Sequence, residues 1–167
     1  MPPSLCSLIL VTGVAGSGKT TVGRLLAEQL GWAYHEADDF HPPANKEKMG
    51  RGVPLDDTDR KPWLAAIRAE MERSAAAGRR AVFTCSALKE SYRQQLIGGL
   101  AGVGLVFLSG DHALLLERLQ ARAGHYMKAG MLDSQFAILE PPRDALALDV
   151  HHSPAELVAQ IRQTFGL

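Results

Sequence analysis

The sequence is poor in the features that mark several large protein classes. Among its 167 residues only two are cysteines, Cys6 and Cys85, each in an apolar run and neither part of a metal-type or redox-type pair. That excludes a disulfide scaffold and points to a reducing compartment, with both thiols in the core. Neither sign of charge is in surplus, since 18 Lys+Arg stand against 18 Asp+Glu. A neutral chain lacks the basic field that broad nucleic-acid or anionic-membrane binding requires, so neither partner is expected. No apolar run approaches the ~20 residues of a membrane helix. The apolar start has no basic segment ahead of it and runs straight into a glycine loop, so a secretory leader is not expected either. The expected location is cytoplasmic.

What the chain has is enough apolar material for a core: 46% of its residues are hydrophobic and 22% charged. A chain of this length buries roughly 70% of its extended surface, so one compact domain over residues 1–167 is expected without metal or disulfide staples. Five short apolar runs, at residues 7–12, 32–35, 80–85, 104–108 and 146–150, alternate with helix-like segments. Continuous rather than alternating apolar runs suit parallel strands covered on both faces, which predicts a three-layer α/β/α fold.

Helical spacing of Val22, Leu25, Leu26 and Leu30, with Gly31 as terminator, predicts the first helix. A second is expected to start near Pro62, with Leu64, Ile67 and Met71 inward, and a third to cover residues 88–97. A fourth over 111–122 has Asp111 as N-cap, and the last is signed by a capping box of Ser153 and Glu156 with Pro154 in the first turn. The glycines of IGGLAGVG read as a helix-to-strand turn. Two stretches break the rhythm, about 38–61 and about 121–143, and are expected to be irregular inserts; long inserts of that kind in a compact domain carry function.

Residues 13–20, GVAGSGKT, match G-x-x-x-x-G-K-[ST] in full, directly after an apolar strand and directly before an amphipathic helix. Such a loop turns its backbone N–H groups onto phosphate oxygens, with no Cβ in the way at the glycines and the helix N-terminus behind. Gly13, Val14, Ala15, Gly16, Ser17, Gly18, Lys19, Thr20 and Thr21 are therefore assigned to nucleotide binding. Lys19 would reach the β- and γ-phosphates and Thr20 would offer its hydroxyl to Mg²⁺. No N-K-x-D stands where guanine recognition needs it, which favours ATP. The acidic residues must come from the second strand, where Glu36 and Asp38 follow residues 32–35 at the same sheet edge as the loop. A carboxylate there can orient an incoming alcohol and take its proton, the role given to Asp38; Glu36 is assigned to the metal shell.

Here the sequence resembles a known family. Asp38-Asp39-Phe40-His41-Pro42, then Asn45, Lys46, Lys48-Met49, Gly52-Val53-Pro54-Leu55, Asp57, Asp59-Arg60 and Pro62-Trp63-Leu64 are similar to the gluconokinases. So, in order and spacing, are Cys85-Ser86-Ala87-Leu88-Lys89 with Tyr92-Arg93, His125-Tyr126-Met127-Lys128, Met131-Leu132, Ser134-Gln135-Phe136 and Leu139-Glu140. The resemblance implies phosphorylation of D-gluconate by ATP at its terminal hydroxyl, a five-stranded sheet in the order 2-3-1-4-5 with a helical lid, and a homodimer. Alternatives are another small-molecule kinase of this fold, acting on shikimate or adenylylsulfate, or a non-catalytic ATP-binding module.

An anionic polyol needs a cation for its carboxylate, and Lys48, Arg51, Arg60 and Arg93 are the candidates, with Arg60 and Arg93 ranked first because a guanidinium grips a carboxylate in two places. His41 and Asn45 are suited to the hydroxyls. The second insert is expected to be the lid, with Arg118 and Arg122 toward the nucleotide, Arg122 stabilising the transferring group, and His125 on the substrate side. His151 and His152 read as a polar turn, with a place beside the adenine as the alternative.

Overall fold

The computed structural model describes residues 6–121 and 129–167. Arg122 and His125 therefore lie outside the described residues. Five strands, β1 (Leu8–Thr12), β2 (Ala33–Glu36), β3 (Ala81–Thr84), β4 (Val103–Ser109) and β5 (Leu146–Asp149), form one parallel sheet in the order β2-β3-β1-β4-β5. Leu8 of β1 pairs with Ala81 on one side and Val103 on the other. The order is the one implied by the resemblance, and the strands lie within one or two residues of the apolar runs.

The central strands read as unbroken apolar runs because both of their faces are covered. Ile9, Val11 and Val82 point into a core shared with Val22 and Leu26 of α1 (Lys19–Leu30) and Leu157, Val158 and Ile161 of α7 (Pro154–Phe165). Leu8, Leu10 and Phe83 point the other way, against Trp63, Leu64, Ile67 and Met71 of α3 (Asp57–Ala76) and Leu96 of α4 (Glu90–Ile97). At roughly 1.5–3 kcal/mol per buried large side chain, this two-sided burial is the main favourable term for folding. α1 lies close on the sheet because Gly23 has no side chain there; a Cβ would stand 2.5 Å from Thr84 Cγ2.

Gly31, at φ 67°, caps α1, and Ser153 and Glu156 form the reciprocal box at α7. α5 (His112–Ala121) starts where Asp111 accepts the Leu114 N–H at 2.8 Å. α3 departs from expectation. It begins five residues before Pro62, because Asp56 accepts the Asp59 N–H while Asp59 accepts the Asp56 N–H, at 2.7 and 3.0 Å. Two aspartates three apart make the box that Pro62 was expected to replace, and the proline is carried inside the helix, on its exposed side.

Both inserts are more regular than expected. The first forms a 3-10 turn at Ala37–Phe40 and a short helix, α2 (Pro43–Gly50), and the second contains α6 (Ala129–Ile138). α2 buries only Asn45, so it lacks the apolar stripe that identifies a helix in a sequence; polar tertiary bonds hold it instead. Among the described residues no helix is long and apolar enough to cross a membrane.

Candidate active site

The loop from Gly13 to Thr20 joins the carboxyl end of β1 to α1. Gly16 and Gly18 take φ values of 79° and 92°, a region β-carbons disfavour, and the space a Cβ would fill at Gly18 is open. No side chain caps the start of α1, so its first amides keep no partner of that kind. Ser17 Oγ is buried and makes no hydrogen bond among the described residues. An uncapped helix start, an open glycine and an orphaned hydroxyl are a donor set suited to phosphate oxygens. Lys19 Nζ donates to the Val14 carbonyl at 3.1 Å, folding the side chain back along the loop.

Opposite the loop stands Glu36, at the end of β2. Thr20 Oγ1 donates to one of its oxygens at 2.9 Å and Thr84 Oγ1 to the other at 3.1 Å, while the Tyr34 hydroxyl also donates to it. The two residues assigned to Mg²⁺ from the sequence are thus directly bonded to each other. No cluster of three or more His, Cys, Asp or Glu that could hold a metal occurs among the described residues. Thr20 and Glu36 suit Mg²⁺, which takes few protein ligands and keeps its waters and the phosphates of its substrate.

Asp38, on the 3-10 turn after β2, shares a cleft with Lys19, Thr20 and Glu36. Its side chain is open to solvent along the cleft mouth, yet crowding by the cleft walls holds its carboxyl above the ordinary range; the Glu36 charge adds to this and Lys19 opposes it. Cys85 lines the same cleft with its thiol pushed up to about 12 by burial, which leaves it inert.

The acceptor-side candidates separate into three groups. His41 stacks on Trp63, with ring centroids 4.2 Å apart, and its pKa is lowered to about 4 by burial and by the charges of Lys46 and Arg60. It is neutral at pH 7. Asn45 lies 3.3 Å from His41 Nδ1 and donates to the Asp59 carbonyl at 2.8 Å, so these two polar side chains position each other. Arg60 donates to the Tyr92 hydroxyl at 3.0 Å, its only hydrogen-bond acceptor among the described residues. Lys48 is paired with Asp59 at 2.6 Å, and Arg51 is exposed beside Glu47 at 3.7 Å.

Arg93 is engaged by the protein itself. All five of its N–H donors are occupied: by the Ala87 and Leu88 carbonyls at 2.8 and 3.2 Å, the Glu140 carbonyl at 2.6 Å, and Glu90 at 2.9 and 3.2 Å. Its residue exposure is 2%. It has no donor left for a ligand and clamps the loop after β3, where Ala87 adopts φ 42°. The guanidinium geometry that suits a substrate carboxylate suits three converging carbonyls equally well, and sequence does not distinguish them.

Arg118 donates to the Val150 carbonyl at 2.7 Å and borders a second hollow, with Ser17, Gly18, Thr21 and His152. His152 is thus part of a cavity wall next to the phosphate loop, as well as of a turn. Sequence reasoning passed over three further groups. Gln135 of α6 lines the cleft and accepts the Ala15 N–H at 2.8 Å; Tyr34 and Thr84 hold Glu36; and Lys46 acts electrostatically on both Asp38 and His41. Gln135 and Lys46 stand inside the resembling blocks, which was the available signal; Tyr34 and Thr84 are strand residues with none.

The family model described as AAA domain matches residues 8–142. The chain is 50% identical to a gluconokinase of Gluconobacter oxydans over 136 residues, covering 81% of this chain and 76% of that one. It is 42% identical to a probable gluconokinase of Mus musculus over 176 residues, covering 93% and 96%. A solved structure of a gluconokinase from Sinorhizobium meliloti 1021 matches with a TM-score of 0.87 at 41% identity, over 98% of this chain and 93% of that one.

Proposed function

Since the chain belongs to the AAA domain family and, within it, to the gluconokinases, we propose that it moves the γ-phosphoryl group of ATP onto the terminal hydroxyl of D-gluconate. The products are 6-phospho-D-gluconate and ADP. The observation that carries this reading is the single cleft in which Lys19 and Thr20 of the phosphate loop face Asp38 and Glu36 of the acceptor side.

In that cleft the terminal hydroxyl of the sugar acid donates to Asp38. As its oxygen bonds to the γ-phosphorus, the bond to the β,γ-bridging oxygen breaks, ADP leaves, and the proton passes to Asp38. A carboxylate held above its ordinary pKa is a better base for this step than an unperturbed one. Lys19 and the loop amides hold the phosphates in line, and Thr20 and Glu36 would hold Mg²⁺, which when bound draws charge off the phosphate oxygens. His41, Asn45 and Arg60 receive the polyol and its carboxylate. The hollow beside Arg118, Thr21 and His152 is assigned to the nucleoside. Arg122 is kept as the cation that meets the transferring group and His125 as a substrate contact.

A coupled ADP-release assay over gluconate, glucose, shikimate and adenylylsulfate tests the reading. Release stimulated by gluconate above the other three is expected; release with another acceptor and none with gluconate would refute the assignment.

A further inference from the structure

The stretch from Gln135 to Glu140 is tied to both lips of the cleft. On the nucleotide side, Gln135 Oε1 accepts the Ala15 N–H at 2.8 Å. On the acceptor side, the Glu140 N–H donates to the Leu88 carbonyl at 2.8 Å, and the Glu140 carbonyl accepts from Arg93 at 2.6 Å. Leu88 belongs to the same loop after β3 as Ser86, which lines the cleft. α6 does not depend on these bonds for its seat, because Leu132 is fully buried and Phe136, Ile138 and Leu139 pack on the core. A polar side chain reaching from that apolar seat to a phosphate-loop amide does something packing alone does not.

An amide in such a loop faces a choice of acceptors. Those aimed at phosphate are satisfied by the nucleotide; Ala15 is satisfied by a side chain from a helix 120 positions away in sequence. The acceptor fixes the peptide plane between Val14 and Ala15, and with it the direction of the amides that follow. It is also neutral. A glutamate would make the same bond but place a negative charge in an anion cradle.

We propose that Gln135 is a positioning residue for phosphoryl transfer, its uncharged carboxamide oxygen holding Ala15 so that the phosphate loop takes its binding shape only with α6 seated. The proposal rests on the kinase reading above.

Two variants test it, through ADP affinity by calorimetry together with kcat, both KM values and melting temperature. Gln135→Met keeps the length and loses the acceptor. It should weaken ADP binding and lower kcat by about five- to tenfold each, leave the gluconate KM within about twofold, and melt within about 2 °C of wild type. Gln135→Glu keeps the acceptor and adds charge. Its ADP affinity relative to wild type should be lowest where the carboxylate is fully ionised and recover as pH falls towards the ordinary glutamate pKa of about 4.3, because the protonated side chain is a neutral isostere. Wild-type affinity and kcat in Gln135→Met would overturn the proposal, as would a fall in melting temperature with equal losses for both substrates, the mark of a merely structural side chain. ADP binding is read without any acceptor, so failure of the gluconate assignment shows in the wild-type assay and failure of this proposal in the variants.

Discussion

The two walls of the cleft are built on opposite principles. The nucleotide wall is a contiguous loop, residues 13–20, whose working parts are backbone amides and two side chains at its end. The acceptor wall is assembled from the 3-10 turn after β2, α2, the first turns of α3 and the start of α4, and side chains do its work. A main-chain cradle is shaped mainly by where the glycines stand and, at Ala15, by one side chain from α6, so most of its other neighbours tolerate change. In a side-chain wall each residue depends on partners far along the chain: Arg60 on Tyr92, Asn45 on Asp59, Trp63 on the Ala37 carbonyl at 2.7 Å. The nucleotide wall should therefore fail abruptly at single positions and the acceptor wall by degrees.

The largest effect belongs to the nucleotide wall. Lys19→Ala should lower kcat by about 10³-fold, read in steady-state assays, since no other side chain supplies that charge within the loop. Near-normal turnover would erase the contrast. Next is Arg93→Ala, which takes the guanidinium from the Ala87 and Glu140 carbonyls at a site 2% exposed and leaves the Leu88 carbonyl with the Glu140 N–H alone. It should destabilise by about 3 kcal/mol, or roughly 10 °C in melting temperature, while the surviving folded enzyme keeps its ATP KM.

Asp38→Asn should lower kcat about 10²-fold with little change in ATP KM. Its pH dependence sharpens the point. Asp38 must be ionised to accept a proton, and its pKa lies above the ordinary carboxylate value, so activity should fall as pH drops through a limb higher than about 4. The variant should lack that limb in its kcat/KM profile. The smallest effect is Arg60→Ala, which should raise the gluconate KM about tenfold and spare that of ATP, as loss of one charge-assisted bond predicts. Equal effects on both substrates would move Arg60 out of the acceptor wall.

How much was legible beforehand follows the same division. The strands were readable because two-sided burial demands unbroken apolar runs, and α1 and α7 because their caps and stripes are local. The phosphate loop was readable because its chemistry lies in consecutive residues. α2 was missed for want of an apolar stripe, and the true start of α3 was hidden because a proline at 62 outweighed an aspartate pair at 56 and 59. Arg93 is ambiguous for a different reason: an arginine in a matching block looks the same whether its partners are a ligand or three carbonyls. Gln135 and Lys46 carry no local signal of a role, since nothing in one dimension brings residue 135 to residue 15.

Composition, periodicity and one short loop were sufficient to specify a parallel α/β chain with a phosphate cradle, because those properties depend on neighbours within a few residues. Which polar groups are consumed by the protein and which are left for a ligand was decided only in three dimensions. A hydrogen bond is a contact of about 3 Å, and Gln135 on Ala15, Thr84 on Glu36 and the Glu140 carbonyl on Arg93 reach their partners from elements that sequence order keeps apart.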